Sequence, residues 1–420
     1  MHVRALIFVC VAFAFALPAL AADPLPRVTP ESVGMSSERL ARIGTALRAD
    51  IDKGRIPGAV VAIARKGKLV YFEAFGYLDK AAGTKMTTDA IFNIASMTKP
   101  MVTAGALMLY EEGRLPIDDP LSNYLPQFAK MRVAVMSPDN SAIIDTVPAA
   151  RQITIQDLMR HTSGIIYGGR GTTAVHKLYP ASSSSVASGA ELLAKLSAAP
   201  LMYQPGTVWD YGFSIDLVGL VVERISGQSL GQYLQQRLLK PLGMVDTGFM
   251  VPPEKLARYA KALPNDPDTG RPQTLADLSK PPGFECGGGC LVSTAGDYMQ
   301  FAQLLLNRGR HGNTRVLGRK TVEYMLADQL PPNTKNLIGN ADPAHADYGF
   351  GLGLAVRTTP GVVRLSGSVG DFSWPGASGT NWWGDPKEEL AVVFMAHSPG
   401  PIRWHYRQVI NALVNQAIVD

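Results

Sequence analysis

Ser96-Met97-Thr98-Lys99, running on through the apolar pattern Pro100 to Tyr110, is the only S-x-x-K in the chain. Residues three apart on a helix share a face, so the Lys99 amine falls beside the Ser96 hydroxyl. A helix start also leaves backbone N–H groups unpaired, and these favour developing negative charge. One turn can therefore supply a nucleophile, a proton acceptor and an oxyanion donor. As an acceptor the amine has to be neutral, a state that burial or a neighbouring cation promotes.

Upstream of this turn, Ser36 and Ser37 precede Leu40, Ile43, Leu47 and Ile51, which recur at helical spacing until Gly54 and Pro57. Ala59 to Ala64 and Leu69 to Phe75 then read as a β-hairpin across Lys66-Gly67-Lys68. Downstream, apolar spacing predicts helices over 99–112, 154–160, 213–226 and 296–307, and Ser182 to Ser185 reads as a mobile surface loop. β-like runs return at Gly351 to Arg357, Val362 to Ser366, Ser378 to Trp383 and Leu390 to Ala396, before a last helix from Ile402 to Ile418. Trp382 and Trp383 are expected to pack between sheet and helix. The pattern predicts an α/β (α+β) fold: one antiparallel sheet built from residues 22–95 and 300–420 and flanked by helices. A mostly helical domain, 96–299, is inserted into it, with the active site at the interface.

Two further elements carry chemistry. Pro205-Gly206-Thr207-Val208-Trp209-Asp210-Tyr211-Gly212-Phe213 leads through a turn into a helix with Tyr211 at the junction, and Ser373-Trp374-Pro375-Gly376-Ala377-Ser378-Gly379-Thr380 opens a late strand. Together with Leu158-Met159-Arg160-His161-Thr162-Ser163-Gly164 and Gly287-Gly288-Gly289, and in this order, they resemble the serine β-lactamase and penicillin-binding-protein superfamily. Within it the chain is most similar to the class C β-lactamase-like group and its family VIII carboxylesterases.

That resemblance implies a β-lactamase/transpeptidase-like fold and an acyl-enzyme on Ser96. Lys99 matches the adjacent proton acceptor and Tyr211 the second acid/base, and the backbone N–H groups of Ser96 and Ala377 match the oxyanion hole. Trp374-Pro375-Gly376 falls where the β-lactamases carry Lys-Thr-Gly, whose cation and hydroxyl suit a substrate carboxylate. Phe213 falls where they carry Asn or Ser. Trp374, Gly376 and Phe213 are therefore expected to contact an apolar ester. His161 is expected to be structural, and Arg170, His176 and Tyr179 to lie in a solvated loop near the site.

The remaining composition narrows the setting. Hydrophobic residues make up 46% of the 420 residues and charged ones 18%, which is globular rather than disordered. The formal charge of +5 is spread without a run of five like charges, so no nucleic-acid arm is expected. Arg4, the apolar stretch Ala5 to Leu17, Pro18 and Ala19-Leu20-Ala21 have the order of a secretory signal peptide over residues 1–21, too short for a membrane span. A periplasmic or secreted enzyme is expected. Of three cysteines, Cys10 lies in that leader, while Cys286 and Cys290 bracket the three glycines as either a disulfide or two free thiols. With no third Cys or His beside them they make no zinc site, and neither metal nor cofactor is expected.

The expected activity is hydrolysis of carboxylic esters, with a β-lactamase, a D-Ala-D-Ala carboxypeptidase or amide hydrolase, an acyltransferase and a non-catalytic binding protein of the same fold as alternatives. An α/β-hydrolase is excluded, because Gly376-Ala377-Ser378-Gly379-Thr380 lacks the last glycine of the G-x-S-x-G elbow.

Overall fold

The computed structural model describes residues 23–420, so the expected leader lies outside the described residues. The eight-stranded antiparallel sheet runs in the order Gly349–Phe350, Ala355–Val356, Phe372–Ser373, Asn381–Asp385, Leu390–Met395, Gly58–Arg65, Lys68–Asp79, Thr84–Lys85. Both ends of the chain meet at its centre, where Gly58–Arg65 pairs with Leu390–Met395 and Val61 lies opposite Phe394. The hairpin turn is Lys66-Gly67, both at positive φ (52° and 70°), the left-handed pair that matches strand twist.

Alternation on the central strands separates two cores. Val60, Ala62 and Ala64 join Ala391, Val393 and Met395 on the face that meets the inserted segment. Ala59, Val61 and Ile63 join Leu390, Val392 and Phe394 beneath the terminal helices Ser37–Asp52 and Ile402–Asn415. A strand covered on both faces buries every side chain, and all eight residues of Gly58–Arg65 are buried. Trp382 and Trp383 take opposite faces by the same rule. Trp382 packs on Tyr298 and Phe301 of helix Ala295–Leu306, and Trp383 packs under the terminal helices. Helix Ala295–Leu306 lies on the sheet, so the expected boundary at residue 299 falls inside it.

The late β-runs are shorter than their sequence suggests. Val362 to Ser366 is an irregular loop in which Val362 is 64% exposed, with no neighbouring strand to pair it. Ser378 to Trp383 contributes strand only from Asn381, because Gly376 to Gly379 make a turn closed by the Gly379 amide on the Gly376 carbonyl at 3.3 Å, with Gly379 at φ 108°. The inserted segment adds a hairpin, Arg132–Met136 with Ile143–Pro148, that periodicity did not reveal. Among the described residues no helix is long and apolar enough to cross a membrane.

Candidate active site

Ser96 stands in a 3-10 turn, Ala95–Met97, that runs into the α-helix Thr98–Glu111. Ala95 is left-handed at φ 42°, a conformation costing a side-chain-bearing residue roughly 1–2 kcal/mol. It is held there by the Asn93 side chain, which accepts its amide at 2.8 Å. Asn93 is in turn fixed by the pairing of Phe92–Asn93 with Val292–Ser293.

Lys99, one turn on, is fully buried. Its Nζ donates to the Gly288 carbonyl at 2.5 Å, meets the Tyr167 hydroxyl at 3.3 Å and Ser96 Oγ at 3.5 Å, and lies 4.4 Å from the centre of the Tyr211 ring. Behind it sits Asp216, also fully buried, from the first turn of helix Ser214–Ser226. The Asp216 carboxylate accepts from the Gly288 amide (2.9 Å), the Ser183 hydroxyl (2.8 Å) and the Tyr167 hydroxyl (3.3 Å). Burial pushes the Asp216 carboxyl above its ordinary range, while the Lys99 charge and these hydrogen bonds pull it back. Burial and then the Asp216 charge hold the Tyr167 phenol well above its usual value, so Tyr167 stays protonated and serves as a fixed bridge. Gly288 has to be glycine, since a Cβ there would lie 2.3 Å from Asp216 Oδ2.

Tyr211 follows the strand Val208–Trp209 by one residue and is succeeded by Gly212, where any Cβ would meet the Ile165 carbonyl at 2.1 Å. The hydroxyl of Tyr211 accepts the Trp374 indole N–H at 3.0 Å, and its ring rests on His161 at 4.9 Å between centres. His161 is buried, and burial, then Lys99, hold it well below its ordinary value, leaving a neutral ring that packs rather than titrates.

Ser96, Tyr211 and Ala377 line one cleft of about 250 Å³ with Ala95, Tyr167, Gly169, Arg170, Ala181, Ser182 to Ser184 and Gly288-Gly289. Neither the Ser96 nor the Ala377 amide donates a hydrogen bond within the described residues, so both are available to an anionic oxygen in the cleft.

The three residues expected to contact substrate, and parts of two loops, sit differently from expectation. Phe213 is fully buried and meets Tyr167 edge-on at 4.4 Å, because it directly precedes helix Ser214–Ser226 and its ring enters the core. It backs the site and does not line it. Trp374 is 2% exposed and reaches Tyr211, not the cleft. Gly376 is wedged where a Cβ would fall 2.5 Å from the Ile94 carbonyl, so the contact with the cleft passes to Ala377. Within the serine run Ser182, Ser184 and Ser185 lie at the surface as expected, but Ser183 is buried on Asp216, and Ser182 to Ser184 form one wall of the cleft. Arg170 stands at the same mouth, with its guanidinium 5.4 Å from the Tyr211 ring centre, while Tyr179 is buried on the Pro200 carbonyl. Cys286 and Cys290 are bonded, with Cα atoms 5.3 Å apart.

A second constellation lies behind the strand. Ser373 Oγ meets His345 Nε2 at 2.5 Å, and His345 Nδ1 meets Asp342 at 2.5 Å. The connectivity is that of a Ser-His-Asp triad. All three residues are at most 4% exposed, and Arg407 bridges Asp342 (2.7 Å) to the Gly376 carbonyl (2.9 Å). Closed from substrate, the cluster ties down both ends of Ser373–Gly376. Against the push of burial, Arg407 and His345 hold the Asp342 carboxyl well below its usual range.

Comparison with known proteins agrees with this geometry. An uncharacterized protein of Mycobacterium tuberculosis is 37% identical over 361 residues, covering 84% of this chain and 89% of that protein. Esterase EstB of Burkholderia gladioli is 28% identical over 397 residues, covering 89% and 95%. The solved structure of EstCE1, a hydrolase with promiscuous acyltransferase activity, matches with a TM-score of 0.71 at 25% identity, covering 90% of this chain and 98% of that one. The family model described as Beta-lactamase matches residues 43–413, and the chain belongs to that family.

Proposed function

We propose that the protein hydrolyses short carboxylic esters through an acyl-enzyme on Ser96. The observation that carries this reading is the cleft itself, lined by Ser96, Tyr211 and two uncommitted amides, with the buried Lys99 amine 3.5 Å from Ser96 Oγ and over the Tyr211 ring. In acylation Ser96 Oγ attacks the ester carbon and its proton passes into the Lys99–Tyr211 pair. The carbonyl oxygen, now anionic, takes the Ser96 and Ala377 amides, and the departing alcohol recovers the proton. Water then repeats the sequence on the acyl-enzyme and releases the acid.

Size argues for a short acyl group, since about 250 Å³ lies below the 300–1,000 Å³ typical of drug-sized ligands. The residues lining the cleft are alanines, glycines, serines, two tyrosines and Arg170, with no large aliphatic side chain among them. An alcohol in place of the water would make the same acyl-enzyme an acyltransferase, an activity that EstCE1's description names for that relative. The signal-like order of residues 1–21 supports a periplasmic or secreted enzyme; an N-terminal sequence of the mature protein starting at Ala22 or Asp23 is the expected result, and one starting at Met1 refutes it.

Turnover of p-nitrophenyl acetate, butyrate and octanoate, a chromogenic cephalosporin and a D-Ala-D-Ala peptide tests the reading directly. The short esters should lead, and a serine-directed phosphonate should add its mass at Ser96. Faster turnover of the cephalosporin or the peptide would make the protein a β-lactamase or peptidase, and an adduct at Ser163 or Ser378 would displace Ser96.

A further inference from the structure

The contact that places Lys99 most firmly is made by a segment with almost no means of holding itself. Gly287-Gly288-Gly289 has no side chains, and glycine loses more conformational freedom on ordering than any other residue. Yet its middle residue makes two of the site's central hydrogen bonds, from its amide to Asp216 at 2.9 Å and from Lys99 Nζ to its carbonyl at 2.5 Å. Side chains are excluded there by close approach, as a Cβ on Gly287 would fall 2.6 Å from the Ile215 carbonyl and one on Gly288 2.7 Å from both Ser183 Oγ and the Tyr167 hydroxyl. The loop therefore needs both freedom from side chains and a restraint from outside.

The restraint is at its ends. Cys286 and Cys290 are joined, both are buried, and they enclose the three glycines and nothing else. Just beyond the bond, Leu291 is fastened to the serine turn, its amide on Thr98 Oγ1 at 3.1 Å and its carbonyl on the Ile94 amide at 3.0 Å. The sulfur bridge thus carries the fixed position of the Ser96 turn across to the Gly288 carbonyl.

We propose that the Cys286–Cys290 disulfide is a positioning element for Lys99, so that turnover requires the oxidised pair. This rests on the assignment of Lys99 as the proton carrier of Ser96. Forming the bond removes two electrons and two protons from the two thiols, which pass to a disulfide oxidant and leave it as a dithiol. Dithiothreitol reverses the step, returning two electrons and two protons and ending as its cyclic disulfide. With the bond open, the glycine loop samples many arrangements and the Gly288 carbonyl leaves the amine. Displacements of about 1 Å at a proton-transfer group cost up to roughly 100-fold in rate.

The test compares the oxidised wild type with Cys286→Ala/Cys290→Ala at 25 °C, well below either melting transition. The readouts are kcat and KM on p-nitrophenyl acetate and the rate of Ser96 phosphonylation. Alkylation in denaturant followed by peptide mapping should first show no label on either cysteine of the wild type. The double variant should keep its circular dichroism, lose at least about tenfold in kcat and in phosphonylation rate, and change KM by less than about twofold. Dithiothreitol should bring the wild type down to the same level, and reoxidation should restore it, while the variant ignores both. Labelled thiols in the native wild type, or a variant that phosphonylates Ser96 at the wild-type rate, would overturn the proposal. Loss of activity accompanied by loss of the folded spectrum would also overturn it, by assigning the bond to stability alone. An oxidised wild type that never reacts at Ser96 would remove the assignment of Lys99 and the proposal together.

Discussion

Trp374→Phe separates two roles that a residue in this position can play. The side chain is 2% exposed and does not line the cleft, and its indole N–H is 3.0 Å from the Tyr211 oxygen. While Tyr211 is a neutral phenol, that bond is worth about 0.5–1.5 kcal/mol; as the oxygen gains negative charge during proton transfer, it rises to about 1.5–3 kcal/mol. The difference, about 1–1.5 kcal/mol, is stabilisation present only in the transition state, so losing it should lower kcat by about tenfold. KM should hold within about twofold, because no substrate contact is removed. Phenylalanine still fills most of the space among Trp209, Tyr211 and Phe350, at a stability cost of about 1–3 kcal/mol for the smaller ring. Steady-state kinetics on p-nitrophenyl acetate at 25 °C, with thermal melts to confirm folding, measure both effects. An unchanged kcat with a raised KM would refute the argument, because it would mean that Trp374 touches substrate, as its place in the sequence motif suggests.

Tyr211→Phe should cost on the order of 100-fold or more in kcat and about 1–3 kcal/mol in stability, since the buried Trp374 N–H loses its acceptor; near-normal kcat would return Tyr211 to a packing role. Ser373→Ala should lower stability by about 1 kcal/mol by removing the His345 hydrogen bond, and a phosphonate adduct on Ser373 in the Ser96→Ala protein would show that the buried Ser-His-Asp cluster is open after all. Burial pushes the Asp297 carboxyl from 3.8 up to about 6, so the folded state favours its neutral form. Its contribution is complete below pH 3.8 and is lost as pH rises to about 6, a fall of roughly 3 kcal/mol at most. Urea unfolding of Asp297→Asn between pH 4 and 7 should show a shallower slope, the remainder including Asp371, also pushed up to about 6 by burial, and the other raised carboxyls such as Asp216; an unchanged slope would refute the assignment.

What could be read from the sequence was what neighbours along the chain determine. Ser96 and Lys99 are three residues apart, and helical geometry alone puts them together. Tyr211 was legible through the family resemblance of its motif, whose turn leading into a helix is a feature of one short stretch of chain. The Lys99 support was not, because Tyr167, Ser183, Asp216 and Gly288 come from four separate segments and only the tertiary fold joins them. One signal was present: Asp216 interrupts the apolar run Ile215, Leu217, Val218 on a helix face that is buried throughout. A lone carboxylate there needs a charged or donating partner. In the serine run composition gave the surface position of Ser182, Ser184 and Ser185 but not the depth of Ser183, which is set by the carboxylate beneath it.

The meaning of the Trp-Pro-Gly segment also shifts once the side chains are placed. Read along the sequence, Trp374 replaces a substrate-facing cation with an apolar wall. In the fold it faces Tyr211, and what stands in the cation's place is an uncharged N–H donor to the Tyr211 hydroxyl. The segment after the strand thus places an N–H donor on the Tyr211 hydroxyl and the Ala377 amide at the cleft, and it brings no charge to either. Lys99 cannot supply that charge either, because it is sealed beneath Ser96 and shares its surroundings with the Asp216 carboxylate. Among the residues lining the cleft, the one ionisable side chain of fixed charge is Arg170, anchored through the Asn340 carbonyl at the mouth. On the proposed esterase reading, a preference between neutral and anionic esters would rest on this rim residue, some 200 positions earlier in the chain than Trp374, and Arg170→Ala should then lower kcat/KM for an anionic ester more than for a neutral one.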